Sequence, residues 1–174
     1  MKKITAPINS ETTENLKAGD EALVSGVIYT MRDAAHKKIV ETLNAGKKLP
    51  VNLKGQIIYY CGPTPAKPGK ITGACGPTTS SRMDPYTPRL LEYGIRGMIG
   101  KGERSAEVKD AVVKHGAVYF SALGGLGASY ARNILKSETA AFPELGPEAV
   151  YKLEVRDFYA VVINDIYGND FYER

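Results

Sequence analysis

Four short apolar runs in this chain each break, within a residue or two, into a cluster of glycine, hydroxyl or cationic residues. Residues 21–30 run into Met31-Arg32-Asp33, and 56–60 into Cys61-Gly62-Pro63-Thr64-Pro65. Residues 97–100 run into Lys101-Gly102, and 117–121 into Ala122-Leu123-Gly124-Gly125-Leu126-Gly127. Runs of that length predict strands, and breaks of that composition predict turns. Helical patterns lie between them. Ala35, Ile39 and Leu43 recur at helical spacing over 33–46, where Gly46 supplies the stop. Further helices are predicted over 88–93, over 105–114 with Ser105 as N-cap, and for about two turns through Leu135. Strands alternating with helices confine the chain to the α/β class. Two late strands, 149–155 and 158–164, have no helix between them, so the expectation is a mixed, β-rich sheet with helices on one side.

The 174 residues suffice for one well-buried domain, and no linker or repeat divides them. Residues 1–18 read as an irregular lead-in and 165–174 as a frayed, tyrosine-rich tail. The net charge of +4 is mild and evenly spread, which argues against nucleic acid and suits a small anion. No apolar run is long enough to span a bilayer, and no signal-peptide core follows Met1, so a cytoplasmic protein is expected. Cys61 and Cys75 lack the C-x-x-C spacing and read as free thiols, too few for an iron–sulfur cluster. With two histidines, a metal site built by this chain alone is not expected.

The chemistry concentrates at the turns. Cys75-Gly76-Pro77-Thr78-Thr79-Ser80-Ser81-Arg82-Met83-Asp84 brings four hydroxyls, an arginine and an acid together. Gly-Pro fixes a tight path, hydroxyls and amides offer hydrogen bonds, and Arg82 has the fork that suits a carboxylate. The plain alternative is a hydroxyl-rich turn leading into a helix. Thr30 to Lys37 forms a strand-to-helix junction, a natural anion site, from which Arg32 projects. Its plain reading makes Asp33 the helix cap, Arg32 a surface residue, and His36 either a partner of Asp33 or solvent-facing. Lys101-Gly102 at a strand end would bring an ammonium to the ligand rim of an open α/β sheet, although alone it reads as a solvated turn. The glycines at 124, 125 and 127 do not fit G-x-G-x-x-G, which disfavours a dinucleotide.

Taken together, these strings resemble the β subunit, or C-terminal domain, of class I fumarases and L-tartrate dehydratases. Gly-Pro-Thr-Thr-Ser-x-Arg-Met-Asp at 76–84 carries most of the resemblance, and Arg32-Asp33-Ala34-Ala35-His36-Lys37 supports it independently. Leu16 to Asp20, Ser25-Gly26, Gly62-Pro63-Thr64-Pro65 and Lys101-Gly102 add to it, while Met31 departs from the small residue expected there. The resemblance implies a three-layer β/β/α swivelling domain with a mixed sheet. It implies an iron–sulfur-dependent hydro-lyase, with fumarate to (S)-malate preferred over L-tartrate dehydration. It also implies a [4Fe–4S] cluster on a partner α subunit, none held by this chain, in an assembly of two α and two β chains. Arg32, Arg82 and Lys101 would then hold a small dicarboxylate, with Thr79 and Ser80 as supporting donors. Thr78 would be the proton-transfer hydroxyl, activated by Asp84 or Lys101. The competing readings are a non-catalytic binding module for an anionic metabolite and a nucleotide-binding domain.

Overall fold

The computed structural model describes residues 1–173. Seven strands form one mixed sheet, β1 (Lys2–Ala6), β2 (Glu21–Thr30), β3 (Ile57–Tyr59), β4 (Gly97–Gly100), β5 (Val118–Ser121), β6 (Ile134–Ala141) and β7 (Val150–Asn164). Five helices accompany them, α1 (Ser10–Glu14), α2 (Asp33–Asn44), α3 (Thr87–Tyr93), α4 (Ala106–His115) and α5 (Gly127–Arg132). The order is β1-β2-β3-β4-β5-β7-β6, with β2 also paired to β7. Strands β1 to β5 are mutually parallel, whereas β7 runs antiparallel to β2, β5 and β6. The β2–β7 pairing closes a ring of β2, β3, β4, β5 and β7, with β1 and β6 as outer edges.

Alternation along the inner strands explains the layering, because successive side chains face opposite sides. Ile57, Tyr59, Ile99, Val118 and Phe120 turn inward onto Ile4, Val24, Ile28, Leu153, Val155 and Phe158. Their neighbours Ile58, Met98 and Tyr119 turn outward onto Ile39 of α2, Leu90 and Leu91 of α3, and Val108 and Val112 of α4. Two cores on either side of β3–β5 make a β/β/α stack, in agreement with the α/β expectation and its mixed sheet. No helix among the described residues is long and apolar enough to cross a membrane.

The expected β2, α2, β4 and α4 all form, and Ser105 caps α4 by accepting from Val108 N at 3.3 Å. Five expectations are corrected. The lead-in is structured: Ile4 and Ala6 are buried in β1, while Lys2 and Lys3 guard the edge. The two late strands are one. Asp157 takes φ 50 where β7 shifts register against Gly26 of β2, so the break between 155 and 158 is a bulge and not a turn. The helix read through Leu135 stops at Arg132, and residues 134–141 form β6, whose largely exposed polar residues give an edge strand little pattern. The tail is tied down, because Lys109 Nζ meets Asp170 and Glu173 at 2.6 Å each. Asp33 does not cap α2; the N-cap is Arg32 without a side-chain bond, and Asp33 pairs with Arg82 instead.

Candidate functional site

Because β2, β3, β4 and β5 are parallel neighbours, their C-terminal ends share one edge of the sheet. Ligands in open α/β sheets gather at such an edge. The residues leaving it are Met31-Arg32-Asp33 after β2, Cys61-Gly62-Pro63 after β3, Lys101-Gly102 after β4 and 122–127 after β5.

The segment from Cys75 to Ser80 is laid across these strand ends by the backbone. Cys75 N donates to Gly127 O at 3.0 Å, and its carbonyl accepts from the Tyr59 hydroxyl at 2.6 Å. Thr78 N donates to Tyr60 O at 2.6 Å and Ser80 N to Lys101 O at 2.9 Å. Thr79 forms an isolated parallel bridge with Lys101. Thr78, Thr79 and Lys101 are thus gathered on one edge, from which Arg32 also leaves, two strands away from Lys101.

The three cations differ in what already holds them. The Nε of Arg32 is buried with no hydrogen-bond partner among the described residues, and Glu148 Oε1 stands 3.9 Å away. Its guanidinium lies against Gly62, where a Cβ would stand 2.7 Å from Nη1, so glycine is required there to seat the arginine. An unsatisfied buried donor is costly and fits an incoming acceptor. Arg82 lies within a 3-10 turn over Ser80–Met83 and spends its fork on Asp33, Nε to Oδ1 at 3.1 Å and Nη2 to Oδ2 at 2.6 Å. Both partners are substantially exposed, so releasing the pair costs about 1 kcal/mol or less. Lys101 is exposed, and no carboxylate among the described residues pairs with it.

Two residues expected at the site are engaged internally. Ser80 is fully buried, its Oγ 2.9 Å from the Tyr119 hydroxyl, so it fastens the turn and does not face the edge. Asp84 Oδ1 accepts from Arg104 Nε at 2.7 Å and Oδ2 from Ser105 N at 2.8 Å. Both oxygens are therefore committed to the start of α4. His36 neither pairs with Asp33 nor meets solvent. It is wholly buried, with Nδ1 2.8 Å from Arg32 O and its ring edge-on to Tyr60. Sequence reasoning passed over Arg104, Tyr60 and Tyr119, which underlie both turns. Their one signal is an arginine directly before a capping serine, and its burial depends on tyrosines remote in sequence.

The donor set does not fit a cluster held by this chain. Cys61 and Cys75 are buried in the inner core with their sulfurs 2.8 Å apart, and the contact with the Cys75 thiol, together with burial, pushes the Cys61 pKa up. Among the described residues no group of three or more His, Cys, Asp or Glu could hold a metal ion. What the edge brings together is the backbone of Thr78 and Thr79 with the ends of β3 and β4, beside the cations Arg32 and Lys101.

Comparison with known proteins identifies the family. Residues 2–174 match the sequence profile described as Fumarase C-terminus. The chain is 44% identical over 153 residues to "Fumarate hydratase class I, anaerobic" of Escherichia coli K12, covering 87% of this chain and 28% of that protein. It is 42% identical over 158 residues to "Fumarate hydratase 2" of Leishmania major, covering 90% of this chain and 28% of that one. It is 37% identical over 172 residues to "Putative L(+)-tartrate dehydratase subunit beta" of Methanocaldococcus jannaschii, covering 95% and 88%. The chain therefore spans under a third of those fumarate hydratases but most of that β subunit.

Proposed function

The chain belongs to the fumarase C-terminal family, and from that premise we propose that it is the β subunit of a hydro-lyase. In this reading it supplies dicarboxylate binding and proton transfer for the reversible hydration of fumarate to (S)-malate. A separate α subunit would carry the [4Fe–4S] cluster. The observation that carries the proposal is the joining of Thr78, Thr79 and Lys101 at the strand ends, with Arg32 and Arg82 leaving the same side.

Forming fumarate from malate removes a hydroxyl from one carbon and a proton from the next. Negative charge develops on the carboxylate beside the carbon that loses its proton. Cations fixed at the position of that charge stabilise the transition state more than the ground state. Arg32 offers a donor that nothing else uses, and Arg82 can exchange Asp33 for a substrate carboxylate in the same forked geometry. Thr78 is the proton-transfer hydroxyl. An aliphatic hydroxyl needs activation, and the engagement of both Asp84 oxygens favours Lys101 over Asp84 for that task. Thr79 supports the carboxylate from beside Lys101, and Ser80 holds the turn from within.

Dehydration of L-tartrate is the second reading, favoured by the match over 88% of a protein named as that enzyme's β subunit. In either reading the chain would act as a β subunit, in an assembly of two α and two β chains.

The test is reconstitution with the cluster-bearing chain followed by assays on fumarate, malate and L-tartrate. Turnover of one substrate by the complex, and none by this chain alone, is expected. Full activity from the chain alone would overturn the division of labour. Tight calorimetric binding of malate to the chain alone, with no turnover by any complex, would favour a binding module.

A further inference from the structure

Arg104 follows the exposed turn Lys101-Gly102-Glu103, yet its side chain has no solvent exposure. The guanidinium lies between two tyrosine rings, 5.3 Å from the centre of Tyr60 and 4.9 Å from that of Tyr119. Nε donates to Asp84 Oδ1 at 2.7 Å, Nη2 donates to Thr87 Oγ1 at 2.8 Å, and Nη1 is 3.6 Å from Met98 Sδ. Desolvating a guanidinium is expensive, and a buried ion pair is weak as a source of net stability. Its partners show what it organises instead.

Three of these partners, Asp84, Tyr60 and Tyr119, are tied to the two turns that carry the proposed reacting pair. Asp84 closes the turn after Thr78, and its second oxygen takes Ser105 N at the end of the turn after Lys101. The Tyr119 hydroxyl joins the same two turns, through Ser80 Oγ at 2.9 Å and Gly102 O at 2.7 Å. The Tyr60 carbonyl receives Thr78 N at 2.6 Å. A fork is what the position requires, because a single ammonium could not hold Asp84 Oδ1 and Thr87 Oγ1 together from beside both rings.

We propose that Arg104 is a positioning residue of this site, fixing Thr78 relative to Lys101 by fastening the turn over 78–84 to the turn over 101–105. The proposal rests on the reading above in taking Thr78 and Lys101 as the reacting pair, and Arg104 itself touches no substrate.

Arg104→Lys keeps a cation for Asp84 and loses the fork, while Arg104→Met removes both. The lysine variant keeps the test decisive should the methionine variant unfold. Amide hydrogen exchange on the full chain is expected to quicken at least about tenfold at Thr78 and Ser80, with β2 and β7 still protected. Unchanged protection at those two amides overturns the proposal. In the assembled enzyme, kcat is expected to fall on the order of 10- to 10²-fold with little change in KM. In a Thr78→Ala background the same substitution should cost little more. Equal losses in both backgrounds would mean that Arg104 acts on stability alone, and would also overturn the proposal. If the unmutated assembly acts on neither fumarate nor tartrate, the functional reading fails, and the exchange result alone decides whether Arg104 sets the spacing of the turns.

Discussion

His36 commits both its backbone and its ring to the carbonyl of Arg32, at 2.9 Å from its own N–H and 2.8 Å from Nδ1. Since a carbonyl only accepts, Nδ1 carries the proton, and the buried Nε2 is left without a partner among the described residues. Tyr60 and Tyr86 flank the ring, Arg104 repels its charged form, and Asp33 favours it. Burial dominates and pushes the pKa down to about 4, against the opposing bond to Arg32. A folded pKa below the unfolded value of 6.5 means that the unfolded chain takes up the proton first. The stability this neutral histidine carries is complete above pH 6.5 and is lost as pH falls towards 4. Between pH 7 and pH 4.5 the chain should lose about 2 to 3 kcal/mol more than His36→Asn does, read as the difference between urea-unfolding slopes with pH. Equal slopes would mean that water reaches the ring. At this scale the sequence shows which residue types gather at turns, because those types are placed there by backbone geometry. It does not show which are turned inward. Ser80 and His36 are turned inward by tyrosines, and Asp84 by Arg104 and the Ser105 amide, partners that are mostly remote in sequence.

The bends in β2 and β7 face each other. Gly26 takes φ +102 where β2 changes register, and across the pair Asp157 N donates to Ser25 Oγ at 3.0 Å. These bends let two strands serve both β layers. On the other side of Gly26, the Ala6 carbonyl of β1 occupies the space a Cβ would need. Gly26→Ala must therefore bear both the positive-φ penalty and a backbone clash, together about 2–4 kcal/mol, and should free β1. Gly46 is the control. Its φ is +66, but nothing lies within 4 Å of its built Cβ, so Gly46→Ala should cost only about 1–2 kcal/mol. Urea midpoints of the two variants, with exchange rates in β1, check the contrast; equal costs would remove the clash from the account. Elements with strong periodicity were legible, β2 and α2 among them. The edges were not. β1 and β6 carry lysines and other polar residues that keep an edge from pairing further, and those residues erase the alternation that marks a strand.

At the scale of the whole molecule, the sheet closes and the chain's two ends meet. Asp165 Oδ2 accepts from Ala18 N at 2.9 Å, its other oxygen accepts from Tyr167 N and Asn169 N, and the Tyr167 hydroxyl donates to Glu14 O at 2.8 Å. Desolvation works against the charge of Asp165, but these bonds outweigh it and hold the pKa below the usual carboxylate range. Such closure was out of reach of sequence reasoning, because a residue past 160 closing against one before 20 leaves no local pattern. A mixed sheet with helices on one side was legible from the alternation of strands and helices, whereas the three-layer β/β/α arrangement was implied by the family resemblance. A ring in which β2 and β7 each belong to both β layers cannot release one layer and keep the other. Unfolding is therefore expected as one transition, with far-UV circular dichroism and tyrosine fluorescence coinciding. Asp165→Ala removes the carboxylate that accepts from Ala18 N, Tyr167 N and Asn169 N and should lower stability by about 1–3 kcal/mol. It should move that single midpoint without splitting it. Two separated transitions, in the native chain or in Asp165→Ala, would mean that these end segments are an appendage, and that the candidate edge rests on the parallel strands alone.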